Sequence, residues 1–236
     1  PGVAIFMAKK LKVVVVDHSD RGHSRVSPSK LSQFEGCPGY ESKQSEQLHP
    51  VTKEGIDCHE ALDSGNWKGL SPVLTELVSM CQDYVDELGA GDVFKEECLN
   101  VTDEIWGYCD LIVKEGSHAH VVDYKFGWMP VKDAEENLQG MAYVAGAFLH
   151  WPDLESATMV FLQPRLGVIS TADFKRSDLD SILLRIQTIV DRVTQFDLDH
   201  AEDLLIPTPS NCVWCSRKLT CPAFTKTIST ILGTPL

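Results

Sequence analysis

The spacing of apolar residues along the chain predicts helices first and strands later. Apolar side chains recur at helical spacing after Ser71-Pro72, where Ser is a favoured N-cap and Pro a favoured first helical residue. The predicted helices begin at Ser27, Ser71 and Ser177 and occupy residues 54–64 and 134–149. The predicted strands occupy residues 11–17, 93–101, 104–114, 119–126, 157–163 and 167–174.

This order of elements predicts a mixed α/β (α+β) fold with a central sheet flanked by helices. Helices come first, a meander of strands follows, and a helix then crosses to further strands. Residues 206–222 form a tail rich in proline and cysteine, predicted as a metal-binding appendage of the sheet domain. No linker composition interrupts the chain, so we expect one domain over residues 27–236, which includes Cys37 and the tail, after an N-terminal remnant and extension at 1–26.

Composition and charge narrow the class of protein. The chain has 236 residues, of which 43% are hydrophobic and 23% charged, which is typical of a globular protein. The longest apolar runs are short, such as Val13–Val16, and no secretory signal is apparent, so we expect no membrane association and a cytoplasmic location. The net charge of −13 argues against a protein that coats nucleic acid by bulk charge. This charge is compatible with an enzyme that binds a metal ion through several carboxylates.

Two carboxylates and a lysine form the first candidate site. The turn Glu115–His118 joins two predicted strands, and the register that it sets places Asp110 opposite Asp123. Carboxylates so close repel each other unless a cation lies between them. Lys125 follows on the same face as Asp123, and this set suits Mg²⁺-dependent attack of water on a phosphodiester. The alternative is a solvent-exposed strand face with an Asp–Lys pair.

Cysteines form the second candidate site. Cys212, Cys215 and Cys221 follow the spacing C-x2-C-x5-C in the tail, and a soft-metal site needs a fourth thiolate. Cys37 is the best candidate because it lies in a predicted loop next to proline, about 175 residues upstream. The other cysteines are interpreted as core or structural residues: Cys58, Cys81, Cys98 and Cys109. An iron–sulfur cluster and structural zinc both remain open on this pattern.

Four short motifs together resemble the PD-(D/E)XK nuclease superfamily in its RecB-like branch. They occur in the family's order: Gly55-x3-His59-Glu60, Gly107-x2-Asp110, Asp123-Tyr124-Lys125 and Gln139-x3-Tyr143. The resemblance implies a restriction-endonuclease-like fold and a catalytic Mg²⁺ or Mn²⁺. It implies that His59, Asp110, Asp123 and the backbone carbonyl of Tyr124 hold this ion. Lys125 would act on water and phosphate, Gln139 and Tyr143 would position the scissile strand, and Glu60 or Glu76 could be outer ligands.

The cysteine pattern resembles the iron–sulfur nucleases of the same superfamily, which include CRISPR-associated RecB-like, AddB-like and viral exonucleases. It implies a [4Fe–4S] cluster on Cys37, Cys212, Cys215 and Cys221. The implied function is a DNA exonuclease, favoured as 5′→3′ on single strands, in recombination, repair or DNA-end processing. Implied partners are DNA and either further copies of the chain or recombination or adaptation proteins. The alternatives are a non-catalytic DNA-end or partner-binding module, and the same nuclease with structural zinc.

Overall fold

A five-stranded mixed sheet forms the centre of the fold. The computed structural model describes residues 26–42, 49–199 and 202–233, so the strand predicted at 11–17 lies outside the described residues. The strands lie side by side in chain order: β1 Asp92–Asn100, β2 Trp106–Glu115, β3 His118–Tyr124, β4 Ser156–Gln163 and β5 Val168–Lys175. Neighbouring strands are antiparallel except β3 and β4, which are parallel. This arrangement confirms the predicted mixed α/β fold.

Helices cover both faces of the sheet. The first three are α1 Leu31–Gly36, α2 Pro50–Ser64 and α3 Pro72–Glu87, and the next two are α4 Leu138–His150 and α5 Leu179–Asp199. One core packs α1, α4 and α5 against the sheet, and a second core packs α2 and α3 against the opposite face. Within the described ranges, no helix has the length and apolar character needed to cross a membrane. The parallel pair of β3 and β4 follows from α4, because a parallel connection needs a crossover element.

Helix α4 lies unusually close to the sheet. It was predicted from residue 134 but begins at Leu138, because the Asn137 side chain caps it by accepting from the amide of Gln139 at 3.0 Å. A Cβ added at Gly140 would lie 2.8 Å from Met159 Cγ on β4. Glycine at this position therefore permits the close packing that brings the first turn of α4 to the edge of the candidate site.

The C-terminal tail is more regular than its proline and cysteine content predicts. It contains the short helix α6 Pro209–Cys212 and a helix that the sequence analysis missed, α7 Pro222–Leu232. The tail returns to the segment that follows α1. The Ser216 amide donates to the Glu41 carbonyl at 2.9 Å, and Asn211 Nδ2 donates to the Gly36 carbonyl at 2.8 Å. Two segments far apart in sequence thus meet beside α5.

Candidate active site

The candidate site lies where the ladder between β2 and β3 ends. Glu115 pairs with His118 and Leu111 pairs with Val122, which confirms the register predicted from the turn. Beyond Leu111, the amide of Tyr124 donates to Asp110 Oδ2 at 2.7 Å. A side-chain carboxylate thus takes the place of a main-chain acceptor. This substitution puts Asp110 next to the strand that carries Asp123 and Lys125.

The side-chain alternation of β2 also breaks at Asp110, while its register against β1 is the same on both sides. Cys109 and Ile112 both pack in the core on the α4 side, although regular alternation would place them on opposite faces. Leu111 packs on the α2 side, and Asp110 also contacts α2. Strict alternation along β2 predicts that Asp110 and Ile112 share one face, and this prediction is wrong. The ladder between β1 and β2 skips Asp110 and the residue across from it, Glu96, whose φ of +50° lies in the left-handed region.

Asp123 and Lys125 form a buried ion pair. Asp123 is 2% exposed, and Lys125 Nζ lies 2.5 Å from its Oδ2. On the other side, Gln139 Nε2 donates to Asp123 Oδ1 at 2.9 Å and to the Tyr143 hydroxyl at 3.3 Å. Burial raises the pKa of Asp123 to about 6, with a contribution from the charge of Asp110 and an opposing one from Lys125. Despite the ion contact, Asp123 Oδ2 has no well-aligned hydrogen bond among the described residues.

His59 reaches the same place from α2. Its Nδ1 lies 3.3 Å from Asp110 Oδ1, and its ring packs edge-on against Phe126. Burial alone would lower the pKa of His59, but the neighbouring Asp110 carboxylate outweighs burial and raises it to about 9. Burial alone would raise the pKa of Asp110. The charge and hydrogen bond of His59, with smaller contributions from Lys125 and the Tyr124 amide, instead hold it below its usual value.

A buried arginine connects α2 to the end of β3. Arg165 Nε donates to the Phe126 carbonyl at 2.6 Å, and its guanidinium pairs with Glu54 in the first turns of α2. The Arg165 side chain is only 4% exposed. A buried, charge-assisted contact of this kind fixes the direction of α2 and thereby the position of His59.

Glu96 is the site residue that the sequence analysis missed. Ligand atoms of His59, Glu96 and Asp110 all lie within 4.8 Å of one another. Glu60 and Glu76, considered as outer ligands, are exposed and lie outside this group. The sequence carried no signal for it, because the pairing of β1 and β2 that sets Glu96 across from Asp110 is seen only in the structure.

The donor set of this site fits a divalent ion. Carboxylate oxygens, with one imidazole, suit Mg²⁺ or Mn²⁺ better than a soft metal. Asp123 does not belong to this group of three, and burial raises its pKa. His59 and Asp110 therefore meet as predicted, whereas the roles of His59, Asp110, Asp123 and the Tyr124 carbonyl as metal ligands stay predictions.

The structure also brings the four predicted cluster cysteines together. Cys37 packs against a small core formed by Phe196, Leu205 and Cys221. Burial raises the pKa of the Cys212 thiol, and the nearby sulfurs of Cys215, Cys37 and Cys221 raise it further. The remaining cysteines lie elsewhere: Cys58, Cys81 and Cys109 are buried, and Cys98 is partly buried in β1.

The spacing of these thiols bears on the choice of metal. Zinc at about 2.3 Å from each sulfur implies sulfur atoms about 3.8 Å apart in a tetrahedron. Among the described residues, no three of the cysteine sulfurs lie within 4.8 Å of one another. Four thiolates suit zinc and the iron of an iron–sulfur cluster alike.

Comparisons with known proteins give a family and distant structural similarities. A family model described as "Protein of unknown function (DUF2800)" matches residues 95–232. No curated protein matches the chain. An alkaline exonuclease from Laribacter hongkongensis is 8% identical over 76% of this chain and 92% of its own, with a TM-score of 0.39. Its complex with dAMP gives 10% identity, the same coverage and a TM-score of 0.40. A phage-related exonuclease from Haemophilus somnus 129PT is 14% identical over 76% of this chain and 98% of its own, with a TM-score of 0.37.

Proposed function

The chain belongs to the DUF2800 family of proteins of unknown function, and we propose that it is a divalent-metal-dependent DNA exonuclease. One observation carries the proposal. At the end of the β2–β3 ladder, His59 contacts Asp110, and the adjacent Asp123 holds Lys125 at 2.5 Å. Carboxylates, an imidazole and an ammonium in one partly buried place are the groups that metal-assisted phosphodiester hydrolysis requires.

Each side chain has a role that follows from its contacts. A bound Mg²⁺ or Mn²⁺ would supply Lewis-acid polarisation of the phosphate and activation of water. His59, Asp110 and Asp123 would hold it. Lys125 is kept as an ammonium, because its contact with Asp123 raises its pKa although burial opposes this. It would therefore stabilise negative charge on the phosphate and orient water.

Gln139 is a positioning residue in this scheme. Its amide joins Asp123 Oδ1 to the Tyr143 hydroxyl, and Gln139 and Tyr143 stand four residues apart on one face of α4. With one carboxylate oxygen of Asp123 fixed by Gln139, the other oxygen is aimed at Lys125. Gln139 and Tyr143 would in addition position the scissile strand.

Two exposed tryptophans and an exposed lysine support a single-stranded substrate. Trp128 is 59% exposed, follows closely after Lys125 in the chain and lies 4.8 Å from the Arg165 guanidinium. A separate groove is lined by Lys132 and by Trp214, which is 70% exposed. Unpaired bases stack on exposed indoles, and base pairs do not. We propose 5′→3′ action on single strands that contact these side chains.

The four cysteines are proposed to hold a structural [4Fe–4S] cluster rather than zinc. The cluster would join the segment after α1 to the tail, a role that matches the few hydrogen bonds between them. Such a nuclease would act in the cytoplasm in recombination, repair or DNA-end processing. Further copies of the chain or recombination or adaptation proteins could hold the strand on an otherwise acidic surface.

A degradation assay tests the proposal. Linear single- and double-stranded DNA labelled at either end is incubated with Mg²⁺ or Mn²⁺, beside closed circular DNA. We expect loss of linear single strands from the 5′ end, no loss of circles, and no activity in Asp123→Ala. DNA binding without cleavage under either metal would instead identify a non-catalytic module. Iron analysis of an anaerobic preparation decides between cluster and zinc, since a colourless zinc protein would exclude the cluster.

A further inference from the structure

We infer that Glu96 is an additional ligand of the divalent ion, on the side of the site that faces α2. This inference rests on the proposed metal-dependent function and names a residue that none of the four nuclease-like motifs contains. A ligand oxygen of Glu96 lies within 4.8 Å of ligand atoms of both His59 and Asp110. These three residues line one small pocket together with Lys95 and Tyr124.

A second observation makes this group more than a cluster of acidic side chains. Asp123 is 2% exposed, and its Oδ2 has no well-aligned hydrogen bond among the described residues. The Tyr124 amide donates to Asp110 Oδ2 at 2.7 Å, which places the Asp110 carboxylate beside the residue that follows Asp123. A carboxylate oxygen has two lone pairs, so Asp123 Oδ2, which contacts Lys125 at 2.5 Å, can also accept a metal ion. A cation held by Glu96, His59 and Asp110 would lie next to it.

The backbone of β1 is shaped to present Glu96 to this pocket. Its φ of +50° is the only positive φ outside glycine among the described residues. Side chains rarely adopt this conformation in a strand, and such residues concentrate at functional sites. In a regular strand Glu96 and Lys95 would point to opposite faces, yet both line the pocket beside α2.

Lys95 holds the distorted segment in place. Its Nζ donates to the carbonyls of Leu62 and Asp63 at 2.6 Å and 3.0 Å, at the last turn of α2. A lysine at this end of a helix satisfies carbonyls that lack helical partners. The same contact fixes β1 against α2 one residue before Glu96. His59, in the preceding turn of α2, is thereby kept opposite the glutamate.

Glu97 provides a matched control within the same strand. It pairs with Cys109 in the regular ladder. Its carboxylate lies 3.9 Å from His150 Nε2 at the end of α4, away from the pocket. Glu96 and Glu97 are therefore the same residue type on the same strand, but only Glu96 lines the pocket. A change from Glu to Gln removes the same charge at either position.

Binding of Mn²⁺ in the absence of DNA tests the inference. Calorimetric titration of the full chain, with electron paramagnetic resonance to count bound Mn²⁺, compares wild type with Glu96→Gln and Glu97→Gln. Loss of even an indirect partner of a metal ligand weakens metal binding by about 10–100-fold, so we expect at least about a tenfold rise in Kd for Glu96→Gln. For Glu97→Gln we expect a change of less than about twofold. Equal Mn²⁺ affinity for wild type and Glu96→Gln would overturn the inference.

A second variant guards against a folding defect. Glu96→Asp keeps the carboxylate, and Asp tolerates the left-handed conformation well. We expect it to bind Mn²⁺ more tightly than Glu96→Gln, and an affinity no better than that of Glu96→Gln would also overturn the inference. The outcome is separable from that of the proposed function. A wild type that binds Mn²⁺ through Glu96 but cleaves no DNA refutes the nuclease alone, whereas active enzyme with unchanged binding in Glu96→Gln refutes only the role of Glu96.

Discussion

Neutralising Asp123 should stabilise the metal-free protein while abolishing its function. The carboxyl group is 2% exposed, and its pKa is about 6 in the folded chain against an ordinary value of 3.8. The difference of about two pKa units corresponds to about 3 kcal/mol at 1.36 kcal/mol per unit. At neutral pH the folded protein therefore carries a buried charge that weakens it by about this amount, despite the contact with Lys125.

The sign of the effect fixes its pH window. The folded-state pKa of Asp123 lies above the unfolded value, so its favourable contribution is complete below pH 3.8 and is lost as the pH rises through about 6. Asp123→Asn resembles the protonated acid at every pH. The variant and the wild type should therefore have similar unfolding free energies near pH 4. Above pH 6.5 the variant should be more stable by about 3 kcal/mol, or on the order of 6–12 °C in melting temperature for a chain of this size.

Urea unfolding in the presence of a chelator measures this difference at a series of pH values. Asp103→Asn is a matched control, because Asp103 is exposed in the turn between β1 and β2 and the same change there should alter stability by less than about 0.5 kcal/mol. Added Mn²⁺ should raise the melting temperature of the wild type and leave that of Asp123→Asn nearly unchanged. An Asp123→Asn protein that is less stable than wild type at pH 7.5 without metal would refute the reasoning.

Three further predictions concern the neighbouring elements. The affinity of the wild type for Mn²⁺ should rise by up to about tenfold per pH unit between pH 6.5 and 9, because His59 has a pKa of about 9 and must lose its proton to bind metal. Calorimetry should show release of about one proton on binding, and an affinity that does not change with pH would contradict this prediction. The Cys37→Ser variant should lose iron and visible absorbance, and protease should cleave its tail. The Cys98→Ser variant, changed in β1, should keep its iron and absorbance. Equal iron content in the two variants would exclude Cys37 as a ligand. Gly140→Ala should lower the free energy of unfolding by about 1–3 kcal/mol, because the added methyl group overpacks against β4, and should lower kcat by displacing Gln139 from Asp123. Unchanged stability and unchanged kcat would contradict this prediction.

Local rules were enough to predict the sheet and the meeting of Asp110 with β3. A two-residue turn, Gly116-Ser117, fixes the register of the hairpin, and a register with one buried face cannot slip without exposing its apolar side chains. The helix that connects the two parallel strands could also be predicted from the sequence, because α4 has an apolar face. Where residues follow the regular period of their element, the sequence and the structure agree.

Glu96 could not be found in this way because the strands are irregular at that point. The prediction assumed strict alternation along β2, and the structure breaks it at Asp110. The cause is not local: it depends on the Tyr124 amide taking Asp110 as its acceptor and on Lys95 reaching α2 from the next strand. Contacts between residues so far apart in sequence leave no periodic signal.

The two candidate metal sites differ in the contacts that hold their segments together, and for this reason loss of metal should affect the fold differently at each site. The carboxylate site lies on strands and helices that two extensive cores already fix, so the loss of its ion should leave the fold intact. The cysteine site joins segments that share a few hydrogen bonds and one small core around Phe196 and Leu205. Bringing together residues about 175 positions apart costs on the order of 4–5 kcal/mol of chain entropy. Because α5 carries Phe196 and stays packed on the sheet, loss of the cluster should release the tail locally, and the sheet should still unfold as one cooperative unit.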